Sequence, residues 1–299
     1  MKKIRTTIIG LGNITHRYED NPKISKRIKY PTHLSAIKKD KRFILVGACD
    51  LDKKARKSFL KKVSKSVGLY SDYKEMIKEQ HPDLVVVCTP TETHIKICKY
   101  IIKSGVKNIL CEKPIGYSLR DAKSLVKLAK RNRIKIGFNY FRVFDLRYQK
   151  LIKLIKNNDF GKIKSLNAKY SKGIYNTASH TINLFEKMLG PVKKVKVTSK
   201  ISNEKDPNID FLAEFSKVSA EFKSYKSKKL ILEIEMEFNN KNIKISKDRS
   251  KDFKLNIGAS MLDVYDNLYK FIFNKEKISC SAKDALQTLS VVDKVVNSI

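Results

Sequence analysis

The 299-residue chain is 41% hydrophobic and 9% aromatic, ordinary globular usage that excludes wholesale disorder, and no run approaches the roughly 18 consecutive apolar residues of a membrane-spanning helix. Its net charge of +34 suggests polyanion binding, but 53 lysines against eleven arginines, scattered along nearly every expected helix, read as solvated faces; nucleic-acid readers cluster Arg and Lys and interleave aromatics. The five cysteines (Cys49, Cys88, Cys98, Cys111, Cys280) have neither a disulfide framework nor metal-ligand spacing, and MKKIRTTIIG lacks a signal-peptide core, so the expectation is a two-domain cytoplasmic protein with no metal, membrane or specific nucleic-acid partner.

Lys3 to Ile9 is a β-rich run that ends in Gly10-Leu11-Gly12-Asn13-Ile14-Thr15. A strand followed by GxG is the dinucleotide fingerprint: the first glycine permits the tight turn and the second lets backbone approach a pyrophosphate. Thr15 holds the third position, usually Gly or Ala, so an ordinary glycine-rich turn remains the alternative. Phe43 to Cys49 is a fully apolar strand closed by Asp50, an acidic residue placed to bind the adenosine ribose and to favour NAD over NADP; Lys53 and Lys54 nearby leave NADP possible. Asp50 lies well beyond the usual distance of about 20 residues from the glycines, so an insertion is expected, Arg17 to Tyr30, with the first helix resuming at Thr32 to Ile37. It either walls a cleft or is a surface excursion.

A lysine-rich helix from Asp52 to about Ser66, a short element at Gly68 to Tyr70 and a helix near Asp72 to Glu79 lead to the buried strand Leu84 to Cys88 and to TPTETH, Thr89 to His94. Helix His94 to Ser104 is stopped by Gly105. Strand Asn108 to Cys111 then runs into Glu112-Lys113-Pro114, where Pro114 stiffens the bend that carries Lys113. The carboxyl end of a parallel strand is where such sheets place ligands, so Lys113 is either a working lysine or a loop lysine beside a glutamate. Helix Leu119 to Asn132 and strand Lys135 to Asn139 complete a β-α-β rhythm that argues for a doubly wound sheet.

After residue 140 the pattern changes. Phe144 to Asn157 reads as a helix; Lys162 to Tyr170, Val192 to Ile201, Asp210 to Phe215, Leu230 to Phe238 and Lys241 to Lys247 alternate apolar and polar residues, the mark of an antiparallel sheet with one wet face. Helices Ser260 to Phe273 and Ala282 to Ser298 close the chain. The expected fold is α/β: an N-terminal Rossmann doubly wound parallel sheet, residues 1–140, and a C-terminal α+β domain on a mainly antiparallel sheet, residues 141–299.

In order, GLGN, Asp50, CTPTETH, CEKP and the later histidine of SKGIYNTASHTINLFEKMLGPV resemble the glucose-fructose oxidoreductase and inositol dehydrogenase family, Gfo/Idh/MocA, over nearly the whole chain. The resemblance implies an open second sheet whose flat face serves dimerisation, giving a homodimer or homotetramer, and an active site between the domains. It implies that Gly10, Gly12, Asn13 and Ile14 cradle the NAD pyrophosphate, that Asp50 holds the adenosine ribose, that Thr89, Pro90 and His94 guide the cofactor, and that Glu112 and Lys113 stand by the nicotinamide ribose and the substrate hydroxyl.

The family's aspartates four residues before and three after the catalytic histidine are here Asn176 and Asn183, flanking His180. An imidazole with pKa near 6.5 takes a hydroxyl proton at neutral pH, whereas an amide only orients one. His180 and Lys113 are thus expected to carry the proton, with Asn176 assisting; a structural histidine at a helix start is the alternative. Tyr140 and Arg142 fall where the family often meets substrate, as does Asn183; Arg142 either binds a carboxylate or phosphate or makes an interdomain salt bridge. The implied activity is hydride transfer between NAD(P) and a carbinol or carbonyl of a sugar, sugar acid or nucleotide sugar in carbohydrate metabolism. A dinucleotide-binding redox sensor or scaffold is the alternative raised by the two asparagines.

Overall fold

The computed structural model describes residues 3–202, 204–253 and 261–298. The chain divides into two compact units: residues up to Phe144 with the described part of Gly258–Lys283, and the described parts of Asp145–Ile257 and Asp284–Ile299.

The first unit runs β1 (Ile4–Ile9), α1 (Pro22–Ser25), α2 (His33–Lys39), β2 (Phe43–Cys49), α3 (Lys53–Leu60), β3 (Gly68–Tyr70), α4 (Tyr73–Gln80), β4 (Leu84–Val87), α5 (Thr91–Lys103), β5 (Asn108–Cys111), α6 (Leu119–Arg131) and β6 (Lys135–Phe138). Its strands form one parallel sheet in the order β3-β2-β1-β4-β5-β6. Strands covered on both faces must be apolar throughout, and all four residues of β4, Leu84 to Val87, are fully buried. Helices begin where a side chain can accept the first free amides: Asp52 accepts from Lys54 N at 2.8 Å, Asp72 from Lys74 N at 2.8 Å and Ser118 from Asp121 N at 3.2 Å.

The register aligns the carboxyl ends of the strands. Cys49, Ile9, Val87, Cys111 and Phe138 are successive ladder partners across β2, β1, β4, β5 and β6. The next residue of each strand is therefore Asp50, Gly10, Cys88, Glu112 or Asn139. This further row is hydrogen bonded as well: Gly10 N donates to Cys49 O at 2.8 Å, Cys88 N to Ile9 O at 2.7 Å, and Glu112 N and Asn139 N to Val87 O and Cys111 O, each at 2.8 Å. Neighbouring strands lie about 4.8 Å apart, so one edge row gathers the glycine turn, the acidic residue and the glutamate of the EKP bend.

The second unit contains α7 (Leu146–Lys156), β7 (Ile163–Tyr170), α8 (Ser179–Leu189), β8 (Lys194–Lys200), β9 (Ile209–Glu214), β10 (Ser219–Ser224), β11 (Leu232–Phe238) and β12 (Asn242–Ser246). Its sheet order is β12-β11-β7-β10-β9-β8. Every neighbouring pair is antiparallel except β7 with β10, which is parallel. Alternation predicts the faces: Leu232, Ile234, Met236 and Phe238 are buried, while Glu233, Glu235 and Glu237 lie on the wet face, where Lys244 Nζ sits 2.6 Å from Glu235 Oε1. Strand β10 is the strand absent from the sequence reading, because Lys217 and the polar residues Ser219, Glu221 and Lys223 mask its three buried positions.

Two helices follow, α9 (Met261–Ile272) and α10 (Ala282–Val296); Ser260, the expected start of α9, lies outside the described residues. The sequence reading puts everything from 141 onward into the second domain, but α9 packs on the first. Its Tyr265 ring meets Phe43 edge-on at 4.9 Å and its Asp266 pairs with Arg42 at 2.9 Å. Beside it, Phe138 N donates to Cys280 O at 3.0 Å. Sequence order is a poor guide here because the chain returns to the first unit after the second sheet is complete.

Candidate active site

The glycine turn is built around its lack of side chain at one position. Gly10 has φ +92°, and a Cβ there would stand 2.7 Å from both the carbonyl carbon and oxygen of Cys88. At Gly12 an added Cβ would meet nothing within 4 Å. Leu11 N donates to Asp50 Oδ2 at 2.7 Å and Asp52 N to Oδ1 at 2.9 Å, so the carboxylate is tied to the turn it faces. Among the described residues, the N–H groups of Gly12, Asn13 and Ile14 meet no protein acceptor. Three successive open amides at a strand-to-helix turn form an anion site.

The turn is joined to a helix in an unusual way. His33 N donates to Ile14 O at 3.1 Å and Leu34 N to Thr15 O at 3.0 Å. The next two amides of α2 belong to Thr32: Ser35 N reaches its Oγ1 at 3.0 Å and Ala36 N its carbonyl at 3.2 Å. All four amides that a helix start leaves open are thus satisfied, two of them by the glycine turn itself. The intervening segment loops out, with a 3₁₀ turn at Arg17–Asp20 and the short α1, and is tied to the residues after α3 by Lys62 Nζ, 2.6 Å from Asp20 Oδ1 and 3.1 Å from His16 O. The long spacing between the glycines and Asp50 has this cause.

Thr89 and Pro90 lie at the end of β4, where Thr93 Oγ1 donates to Thr89 Oγ1 at 2.6 Å. His94 is buried inside α5; its Nδ1 lies 2.8 Å from Pro114 O and its Nε2 2.8 Å from Thr89 O. It therefore stitches the β4 loop to the EKP bend, whose Lys113–Pro114 peptide is cis. Lys113 is partly exposed on that bend. Glu112 Oε1 receives Asn139 Nδ2 at 2.6 Å and faces His33 Nε2 at 2.9 Å. Burial would raise the Glu112 pKa, but His33, Asn139 and the Lys113 charge outweigh it and hold the carboxyl below its ordinary value. Tyr140 and Arg142 are buried at the end of this unit, with the Arg142 guanidinium 4.7 Å from the centre of the Phe141 ring.

In the second unit, His180 is buried in the first turn of α8, which follows a single π-helical turn, Ile174–Ala178. The amides at its start are taken by the tripeptide Asp206-Pro207-Asn208. Gly173 N donates to Asn208 Oδ1 at 3.1 Å, Ile174 N to Pro207 O at 2.9 Å, Tyr175 N to Asp206 Oδ1 at 2.8 Å and Asn176 N to Asp206 Oδ2 at 2.9 Å. A carboxylate at a helix start also complements the helix dipole. Thus the negative charge that side chain 176 lacks is supplied at its backbone by Asp206, a residue that no motif in the sequence flags. Asn176 itself is exposed.

Asn183, one turn after His180, donates from Nδ2 to Thr288 Oγ1 of α10 at 3.0 Å; Thr288 Oγ1 donates to Glu186 Oε2 at 2.8 Å, and Gln287 Nε2 donates to Glu186 Oε1 at 2.9 Å. One Asn183 donor thus serves the seam between α8 and α10. Burial pushes the Glu186 pKa up to about 7, against the two hydrogen bonds that favour its charge. A carboxyl raised on folding binds an extra proton in the native state, so stability falls as pH rises from the ordinary carboxyl value through about 7. Glu186→Gln is expected to match wild type near pH 4.5 and to exceed it by about 3 kcal/mol above pH 7. Urea unfolding of both proteins at pH 4.5, 6 and 8 checks this; a difference that does not change with pH refutes it.

Among the described residues, no helix is long and apolar enough to cross a membrane. Residues 4–140 match the model of the oxidoreductase family, NAD-binding Rossmann fold. A myo-inositol 2-dehydrogenase of Thermotoga maritima is 26% identical over 163 residues, 53% of this chain and 42% of that protein. An inositol 2-dehydrogenase of Salmonella typhimurium is 22% identical over 55% of this chain and 54% of that protein. The chain spans about half the length, or less, of these curated relatives in its matches. The WlbA dehydrogenase of Bordetella pertussis, solved with NADH and UDP-GlcNAcA, superposes with a TM-score of 0.81 at 18% identity, covering 99% of this chain and 96% of that one. That likeness extends the shared fold to the second unit. With its glycine turn, Asp50 carboxylate and EKP bend on one sheet edge, and with a family match from residue 4 to 140, the first unit is an NAD-binding Rossmann domain of the Gfo/Idh/MocA oxidoreductase family.

Proposed function

We propose that the chain is an NAD-dependent oxidoreductase that moves a hydride between the nicotinamide and a carbinol or carbonyl carbon of a sugar-like substrate. The observation that carries this reading is the edge row of the first sheet, which presents the three open amides of Gly12 to Ile14, the anchored Asp50 carboxylate and the Glu112-Lys113 corner together. Lys113 and His180 are the proton-handling groups; in the oxidation direction the substrate hydroxyl proton goes to the His180 imidazole, Lys113 steadies the oxygen, and the hydride goes to the cofactor. Tyr140 and Arg142 are candidate substrate contacts. Inositol and UDP-sugar-acid ligands in the names of the relatives favour polyhydroxylated rings as the substrate class, and those relatives are dehydrogenases, which favours an enzyme over a sensor. Carbohydrate metabolism in the cytoplasm, by a homodimer or homotetramer, belongs to this reading. The test is a turnover screen of inositols, hexoses, sugar acids and UDP-sugars with NAD; tight cofactor binding with no turnover in any class refutes it.

The anchored Asp50 also sets cofactor preference. Its carboxylate is fixed by Leu11 N and Asp52 N and repels a phosphate on the neighbouring ribose hydroxyl. NADH is expected to bind at least about tenfold (~1.4 kcal/mol) more tightly than NADPH, and Asp50→Ala to narrow that ratio. Titration of each cofactor by its fluorescence checks it; equal affinities in wild type would refute the assignment.

A further inference from the structure

The glutamate of the EKP bend, largely withdrawn from water, packs against a histidine that neither the motifs nor the proposed proton path uses. His33 is the first residue of α2, and helical side chains lean towards the N-terminus, so its ring projects to the carboxyl edge of the sheet. It is fully buried. Nε2 lies 2.9 Å from Glu112 Oε1 and Nδ1 3.1 Å from the Tyr265 hydroxyl. Glu112 Oε1 takes a second donor from Asn139 at 2.6 Å, and Asn139 Nδ2 also lies 3.4 Å from Met261 Sδ. Two distant segments therefore converge on one carboxylate, placed immediately before Lys113, and a third, α9, braces both of them.

We propose that His33 is a positioning residue that carries the counter-charge of Glu112 and thereby holds the Glu112-Lys113 corner in its working geometry. A buried carboxylate without a counter-charge is costly, and the geometry shows how the cost is met. A doubly protonated ring donates from both nitrogens, to Glu112 on one side and to the tyrosine oxygen on the other; a neutral ring serves only one of them as donor. The groups facing the imidazole are Glu112 from β5, Cys88 from the end of β4 and Tyr265 from α9. Burial works against the charge, but Cys88 and Glu112 outweigh it and push the His33 pKa up to about 10. The pair therefore stabilises the fold most where both partners are charged. Its contribution fades as pH falls through the lowered Glu112 value and as pH rises through about 10.

The charge has a consequence next door. With His33 protonated, the Glu112 carboxylate is neutralised from behind, and its pull on the neighbouring Lys113 charge is weakened. In His33→Gln the hydrogen bond to Glu112 is retained and the charge is lost, so Lys113 is drawn to the carboxylate. This inference rests on the reading of Lys113 as a proton-handling group, and its test has a part that does not.

That part is nitrogen NMR of ring-labelled histidine in the whole protein, with the His33 signal assigned by its loss in His33→Gln. Both ring nitrogens are expected to be protonated at pH 8 in wild type, and the ring is expected to become neutral at that pH in Glu112→Gln. A singly protonated ring in wild type at pH 8 overturns the proposal even if the protein is an active dehydrogenase. The second part is kinetic. His33→Gln is expected to lower kcat on the order of 10²-fold, the scale of a misplaced catalytic group, with NADH affinity changed less than about threefold. An unchanged kcat overturns the positioning role. If His33→Gln fails to fold, Tyr265→Phe replaces it: removing only the tyrosine oxygen is expected to give a folded protein whose kcat falls while NADH affinity holds, and wild-type kcat in that variant overturns the role.

Discussion

Lys113→Ala is expected to lower kcat by roughly 10³-fold while changing the NADH dissociation constant by no more than about threefold. The asymmetry follows from where the lysine acts. A contact made equally to substrate and transition state changes KM, whereas one that grows as charge develops on the reacting oxygen changes kcat. Lys113 stands one residue beyond Glu112, on a bend stitched by His94 to the adjacent β4 loop, so removing its side chain leaves the backbone course of the site in place. The proposed cofactor contacts, the amides of Gly12 to Ile14 and the Asp50 carboxylate, are all on other strand ends. Steady-state turnover with the best substrate from the screen, beside fluorescence titration of NADH, measures both numbers. Wild-type kcat in Lys113→Ala rules the lysine out of the chemistry, and a large loss of NADH affinity at full kcat makes it a cofactor clamp.

Alanine at Gly10 and at Gly12 should fail in opposite ways. At Gly10 the new Cβ meets backbone of Cys88 at 2.7 Å and of Thr89 at 2.8 Å, at a φ of +92°. None of those atoms is the end of a flexible side chain. Left-handed backbone costs a non-glycine residue about 1–2 kcal/mol and overpacking about 1–3 kcal/mol, so Gly10→Ala should lose roughly 2–5 kcal/mol out of a total that is seldom above about 15 kcal/mol. At Gly12 the added methyl has open space, and the variant should melt at or slightly above the wild-type temperature, since alanine restricts the unfolded chain by about 0.4–1 kcal/mol relative to glycine. On the proposed reading the same methyl stands where a pyrophosphate approaches the open amides, and NADH affinity should fall by at least about tenfold. Melting curves with and without NADH separate the two: Gly10→Ala is low in both, Gly12→Ala is normal without NADH and fails to rise with it. Full NADH binding by Gly12→Ala would place the pyrophosphate elsewhere.

The parts of the site that the sequence makes legible are those carried by local rules. A glycine turn, an acid after an apolar strand and a proline-stiffened bend each announce themselves within a few residues, and the ladder register then sets three of them side by side. What stays hidden is set by pairing between distant segments. Asp206 is an ordinary loop aspartate until the chain folds it over the amides of Tyr175 and Asn176. Tyr265 looks like one more apolar residue of a late helix, and only its packing on the first unit brings its hydroxyl to His33. One signal for His33 was present: Thr-His occurs three times, at Thr93-His94 and at Thr15-His16 and Thr32-His33, the last two on either side of the looped-out segment. Asn183 reads by motif as a substrate-side residue, whereas one of its donors is used in a helix seam, because a motif fixes spacing along a helix and says nothing of which neighbour fills that face.

The join between the glycine turn and α2 has a meaning for how such a protein diversifies. Because Ile14 and Thr15 carbonyls close the amides of His33 and Leu34, the hydrogen-bond circuit of the helix runs past the segment between them as though it were absent. A lineage can lengthen, shorten or recode that segment without shifting the register of α2, the amides of the glycine turn or the ring of His33. The segment leaves and rejoins the chain at the carboxyl edge of the sheet, the edge proposed to take the cofactor, so new recognition surface can be tried there while the glycine turn stays constant.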